Sequence, residues 1–447
     1  MTNDVDRTTC LESGCISRPS YLNLVVLSQM SYVTFLLGAG ASIPAGYSCT
    51  EQLTKKILAS EGYFRYTDGR YLPGTASPNT DYRTPAVRRI VDWLFKRTKE
   101  YFQEREDPKE SNYEDIYYLA SQLRDDRFEL HNPAVLPLIQ KLKCEMISWP
   151  EFEKYPEVSQ RRDIDPERFS EVPARARDIN LFCEETCHYI EDIVSDVLSH
   201  SGKCCTKHLE IIKAIHRTPG LKLKGIATLA HDTHVERKLG RADIKLADGF
   251  SPPIPGDSLR IWKNQFSSSD GIPFMKLHGS VNWTRFDLSD QSKYKELPSS
   301  EIGIREPSNL DDSVYQYDEV AAPRPFLLIG TFNKPVQYNW GLMLDIHYRF
   351  RKILRDTDTL VVCGYSFGDK AINTQLIFWC AAERSRSLVV IDPRGKQEVI
   401  GSARFAAGRL LANEDSAQFI TKPMEDVEPD ELLRLLVSSK LAVHVGM

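Results

Sequence analysis

A set of short apolar runs, each ending abruptly in glycine or a small polar residue, constrains this chain more than any other feature. They are "YVTFLL" before "GAGASIPAG", "LKGIATLA" (223–230) before His231 and Asp232, "FLLIGT" (326–331), "DTLVVCGYS" (358–366) and "SLVVIDP" (387–393). Runs of this length, rich in β-branched residues and bounded by turn formers, read as strands buried on both faces. Helical spacing separates several of them, in "TEQLTKKILAS", "NWGLMLDIHYRFRKILRD" and "INTQLIFWCAAERS". Strands alternating with helices predict an α/β fold, a Rossmann-like doubly wound parallel sheet.

The alternation is interrupted once. From 84 to 220 the apolar residues recur three and four apart, which predicts an inserted helical module of four or five helices. The sheet-forming parts are then 31–62 and 222–424, with an N-terminal tail over 1–30 and a C-terminal helical tail over 425–447. Residues 63–83 mix Tyr, Gly, Pro and Thr and read as a loop.

Composition narrows the function classes. With 57 Lys and Arg against 62 Asp and Glu, the net charge of −5 gives no reason to expect direct nucleic-acid binding. The ten cysteines are scattered and include adjacent Cys204 and Cys205, which is no secretory disulfide framework, so a cytoplasmic location is expected. The stretch "YLNLVVLSQMSYVTFLL" is broken by Asn23, Ser28, Gln29 and Ser31. It has neither the basic flank nor the cleavage site of a signal peptide and is too polar to span a membrane.

The strand ends carry the candidate chemistry. Gly38, Ala39, Gly40, Ala41 and Ser42 stand between a strand and a helix, where small residues let a backbone approach phosphates and a helix N-terminus offers free N–H groups. A tight turn without a ligand explains the same residues. His278, in "FMKLHGSVNW", has the chemistry of a general base, although a lone histidine is more often a satisfied structural one. Gly364 and Ser366 follow one buried run and Asp392 closes the next, where open α/β sheets bind their ligands. Cys183, Cys187 and His188, with Cys204, Cys205 and His208, match no common zinc spacing, and no metal is expected.

Taken in order, "GAGASIPAG", "TLAHDTHVE", "KLHGSVNW", "GYSFGDKAIN" and "VVIDP" resemble the sirtuin-like NAD-binding domains of bacterial anti-phage defence proteins. The resemblance covers roughly 31–62 and 222–424. It implies that Gly38, Ala39, Gly40 and Ser42 meet the phosphates of NAD, that Thr228 and Asp232 lie near the nicotinamide and His278 by its ribose, and that Gly364, Ser366 and Asp392 line the adenosine half. It further implies cleavage of the N-glycosidic bond of NAD as substrate, homo-oligomerisation, and control by a phage-sensing partner such as a separately encoded ATP-driven DNA translocase.

Two departures refine that reading. The chain has no Cys-x-x-Cys pair, and Gly46 is followed by Tyr47, Ser48 and Cys49, so the zinc module and acyl-lysine loop of protein deacylases are missing. Hydrolysis of NAD to ADP-ribose and nicotinamide is the better expectation. Ala230 stands where the resemblance implies a catalytic asparagine, within Thr-x-Asn-x-Asp. An asparagine offers two donors and an acceptor, and alanine offers none. The intact neighbours Thr228 and Asp232 read as an inactivating substitution in a hydrolase. A non-catalytic sensor of NAD or ADP-ribose is the alternative.

Overall fold

The computed structural model describes residues 30–59, 62–75, 83–103, 110–124, 136–147, 149, 174–200, 205–242, 244–254, 258–266, 271–287, 300–305, 324–330, 334–339, 341–404, 406–414 and 416–436. The tail over 1–29 and the last residues, 437–447, lie outside them. The strands are β1 (Ser31–Leu37), β2 (Tyr63–Arg65), β3 (Tyr71–Pro73), β4 (Leu221–Thr228), β5 (Leu246–Ala247), β6 (Gly249–Phe250), β7 (Leu259–Gln265), β8 (Ile272–Lys276), β9 (Thr284–Asp287), β10 (Ser300–Arg305), β11 (Thr359–Cys363), β12 (Ser387–Ile391) and β13 (Ala417–Ile420).

Seven of these form one sheet in the order β13-β12-β11-β1-β4-β8-β5. Every pairing in it is parallel. Alternate residues of one strand feed opposite cores: Leu36 and Val362 pack with the helices Gly341–Arg355 and Lys370–Ala382, whereas Phe35, Leu37, Val361 and Cys363 pack with Glu210–Arg217 and His234–Gly240. Two covered faces explain why β11 and β12 are buried throughout and, after Thr359 and Ser387, continuously apolar rather than alternating. The predicted doubly wound α/β fold is the one observed. At the outer end of β4 the lysines of "LKLK" point outward while Leu221 and Leu223 turn in, and the Lys224 ammonium lies 4.7 Å from the Tyr32 ring centre.

The helices Thr84–Gln103, Tyr113–Arg124, Leu136–Ile147 and Ala174–His200 build a separate core around Ile90, Leu94, Ile116, Ala120, Ile190 and Ile193. Cys183 and Cys187 are buried in it, one turn apart on the helix Ala174–His200. Thr50–Ala59 adds Leu53 and Ile57 to the same core, so packing groups that helix with the helical module rather than with the sheet. Within 205–220, by contrast, Ile211, Ile212 and Ile215 pack on the sheet.

The structure departs from expectation in three places. Residues 63–73 form an antiparallel β2–β3 hairpin, held where the Tyr71 amide donates to Asp192 at 2.8 Å. "FLLIGT" makes only an isolated bridge, Leu327 to Gly279, because its apolar residues fill two cores, Leu328 one and Leu327 and Ile329 the other. A small antiparallel sheet, β6-β7-β10-β9, lies outside the strands read from the sequence; its Phe250, Trp262, Ile302 and Ile304 cover the face that also receives Gly341–Arg355. Among the described residues, no helix is long and apolar enough to cross a membrane.

Candidate active site

Because the seven strands are parallel, their carboxyl ends share one edge of the sheet. Gly38 follows β1, Thr228 closes β4 ahead of Ala230 and Asp232, His278 lies two residues beyond β8, Gly364 follows β11 and Asp392 follows β12. The chain leaves β1 for β4 on one side and reaches β11 on the other, so the crevice of the topological switch lies at β1.

The glycines meet there, backbone to backbone. The Gly38 amide donates to Cys363 at 2.9 Å and the Gly40 amide to Gly364 at 3.0 Å. A Cβ on Gly38 would lie 2.3 Å from the Gly364 carbonyl oxygen, and one on Gly364, whose φ is +61°, 2.2 Å from the Ala41 nitrogen. The small residues are therefore required by the contact between two turns. The expected α-helix does not begin here: Ala39–Ala45 is a seven-residue 3-10 helix, and the Gly40 and Ala41 amides are spent on Gly364 and Gly38. Ser42 is buried in that turn with its hydroxyl unpartnered.

The β4 loop is held by its backbone. Thr228 Oγ1 accepts from the Ala230 amide at 3.1 Å, and Asp232 Oδ1 accepts from the His234 amide at 2.9 Å, starting the next helix. Buried Lys276, the last residue of β8, donates to the Asp232 carbonyl and reaches Glu236 at 2.9 Å. The His231 carbonyl accepts from the Val281 amide at 3.0 Å, which ties the β4 loop to the His278 turn. Ala230 is buried, 4% exposed, in the middle of this braced loop.

His278 has partners that sequence reasoning missed. Its Nε2 lies 3.0 Å from Asp369 Oδ2 and 2.7 Å from the Tyr338 hydroxyl, which itself donates to Asp369 at 2.6 Å. Asp369 also caps the helix Lys370–Ala382, its Oδ1 accepting from the Ala371 and Ile372 amides. Burial alone would raise the Asp369 carboxyl, but His278, Lys334 and Tyr338 together hold it well below the ordinary carboxylate range. Burial and then the Lys334 charge lower the His278 imidazole, despite Asp369. A neutral imidazole beside an ionised carboxylate donates its Nε2 proton to it, which leaves Nδ1 to accept a proton. Tyr338 is fixed from behind by His347, whose ring stacks on it at 3.7 Å. Asp369 belongs to the quoted "GYSFGDKAIN" and was legible as an N-cap before a helix; no motif marks Tyr338.

The His278 and His231 rings are 6.1 Å apart, and burial pushes the His231 imidazole well down. The remaining sequence candidates are less open. Asp392 is clasped by Arg394, with Nε to Oδ1 at 2.9 Å and Nη2 to Oδ2 at 2.8 Å. Ser366 is exposed, beside Phe367 at φ +53°. Among the described residues, no group of three or more His, Cys, Asp or Glu is disposed to hold a metal ion.

No family model and no curated relative matches this chain. Among solved structures it is similar to a Sir2 homologue in complex with NAD, at 12% identity and a TM-score of 0.36 over 92% of each chain. It is likewise similar to a Sir2 homologue bound to ADP-ribose, at 12% identity and a TM-score of 0.34 over 92% of this chain and 94% of that one. The fold and the strand-end site are defined by the strand order and the contacts themselves.

Proposed function

We propose that the carboxyl edge of the sheet is an NAD-hydrolysing site whose turnover is held down by Ala230. The observation that carries the reading is the Asp369–His278 pair with Tyr338, a neutral imidazole oriented by a partly buried carboxylate at the carboxyl edge of a doubly wound sheet. In the reaction the bond from the nicotinamide nitrogen to the ribose C1′ breaks, with the electron pair leaving on nicotinamide. Water then adds to the oxocarbenium-like carbon and gives up a proton. His278 Nδ1 takes a proton from water or from a ribose hydroxyl, and Asp369 stabilises the resulting imidazolium. An asparagine at 230 would position water and ribose, which the methyl group cannot do.

Within this reading the protein belongs to a bacterial anti-phage system that depletes NAD on infection. It acts as a cytoplasmic homo-oligomer under a phage-sensing partner such as an ATP-driven DNA translocase. The motif resemblance supports that setting. A second reading, a sensor that holds NAD or ADP-ribose without cutting it, is favoured by Ala230 itself. The test is nicotinamide release from NAD by this chain and by Ala230→Asn, each with and without acetylated peptide. Release by the variant alone, indifferent to peptide, supports the hydrolase. Tight NAD binding with no release by either protein supports the sensor, and release that requires peptide would point to a deacylase.

A further inference from the structure

Lys334 is a buried lysine, 5% exposed, in the short helix Lys334–Gln337. A buried ammonium needs a close counter-charge. Its partner comes from the helical module: Glu114, in the first turn of Tyr113–Arg124, takes Lys334 Nζ at 2.9 Å on Oε1 and 3.0 Å on Oε2. The Lys334 carbonyl in turn accepts from the Tyr338 amide at 2.9 Å, and the Tyr338 hydroxyl touches both His278 and Asp369. The chain of contacts Glu114, Lys334, Tyr338, His278 therefore runs unbroken from the inserted module to the imidazole.

We propose that Lys334 is a positioning residue for His278, and that Glu114 places it under the control of the helical module. The inference rests on the catalytic role given to His278 above. Two physical effects act together. The Glu114 clasp fixes the short helix and with it the hydroxyl that orients His278 and Asp369. The ammonium also disfavours protonation of His278, and of His231 beside it, which keeps the base free to accept a proton. The charged and titratable groups facing His278 are Asp369 at the start of Lys370–Ala382, Tyr338 and Lys334 around the short helix, Glu114 behind them, His231 from the β4 loop and His347 from Gly341–Arg355. Among them only Lys334 carries a permanent positive charge at neutral pH, so its removal has a definite sign. A movement of the helical module that withdrew Glu114 would release Lys334 and, through Tyr338, the groups that orient the base.

The test uses the full chain with Lys334→Met, Lys334→Arg and Glu114→Gln, each alone and with Ala230→Asn. The first readout is the titration of His278 by NMR, its resonance assigned by loss in His278→Gln. Lys334→Met is expected to move that titration to higher pH, Glu114→Gln to lower pH, and Lys334→Arg to leave it near the parent. The second readout is nicotinamide release: in the Ala230→Asn background, Lys334→Met lowers kcat about tenfold or more with KM nearly unchanged. The acid limb of the pH profile shifts with the titration. An unmoved His278 titration in folded Lys334→Met, or in folded Glu114→Gln should the first variant not fold, overturns the proposal. A shifted titration with no nicotinamide release by any Ala230→Asn protein supports Lys334 as the residue that tunes His278 and removes the hydrolase reading instead.

Discussion

The amide of Gly40 donates to the carbonyl of Gly364 at 3.0 Å, joining the turn after β1 to the turn after β11 across 324 residues of chain. Two turns this close leave no space for a side chain. A Cβ at Gly364 would stand 2.5 Å from the Gly40 carbonyl carbon, and the residue's φ of +61° already disfavours any side chain.

Gly364→Ala is therefore expected to separate the turns and destabilise the fold by about 1–3 kcal/mol from backbone strain, with the clash added. Urea unfolding monitored by circular dichroism checks the loss. A variant as stable as the parent would mean that the two turns are not in contact in solution.

Asp369→Asn separates helix capping from catalysis. The amide oxygen still caps Lys370–Ala382, but the amide nitrogen presents hydrogens to His278 Nε2 where a carboxylate accepted one. In the Ala230→Asn background kcat should fall about 10²- to 10⁴-fold, a larger effect than the loss of stability from removing the charge that His278, Lys334 and Tyr338 hold ionised. An equal fall in stability and turnover would reduce Asp369 to a structural cap.

Lys276 braces the loop that carries Ala230 and Asp232. Lys276→Met strands Glu236, whose carboxyl burial already pushes upward, and removes the donor to the Asp232 carbonyl. A loss of roughly 3 kcal/mol is expected at pH 7. It should shrink as the pH falls and Glu236 takes a proton, so unfolding measured at pH 7 and pH 5 gives the sign. A loss independent of pH would mean that packing, not charge, is what Lys276 supplies.

Stability should also depend on pH through the buried histidines. Burial lowers His208 and His347 to about 4 and His188 to about 3, and it lowers His231 and His278 as well. The unfolded chain takes up protons near the ordinary histidine value of 6.5 while the folded chain resists, so stability is present above that pH and drains away as the pH falls toward about 4. Glu191 and Asp192, raised by burial to about 7 and about 6, act the other way: folded, they keep protons that unfolded carboxyls release. The imidazoles are more numerous, so the melting temperature should drop between pH 7 and pH 5. Glu191→Gln should steepen the drop, because one opposing group is gone while Tyr117, which donates to Glu191 at 2.6 Å, keeps an oxygen to bond. A flat profile in calorimetry would contradict the burial of these histidines.

Local pattern alone determined much of this protein. The runs at β1, β11 and β12 and the inner half of β4 are largely apolar because both of their faces are covered, and a parallel sheet with its helices follows from that pattern without knowledge of any contact. The positions of Gly38, Thr228, Asp232, His278, Gly364 and Asp392 at strand ends were legible for the same reason. Strands as short as β5 and β6 were not, since two residues carry no periodicity, and "FLLIGT" reads as a strand because burial between two cores leaves the same apolar trace as a sheet. Only the tertiary structure decided what each strand-end residue touches. It spent the Gly40 amide on Gly364, closed Asp392 with Arg394, and brought Tyr338 and Asp369 to His278 from 60 and 91 residues away. Such partners are chosen by the packing of helices on the sheet, and no spacing along the chain records a contact that the chain makes only once it has folded.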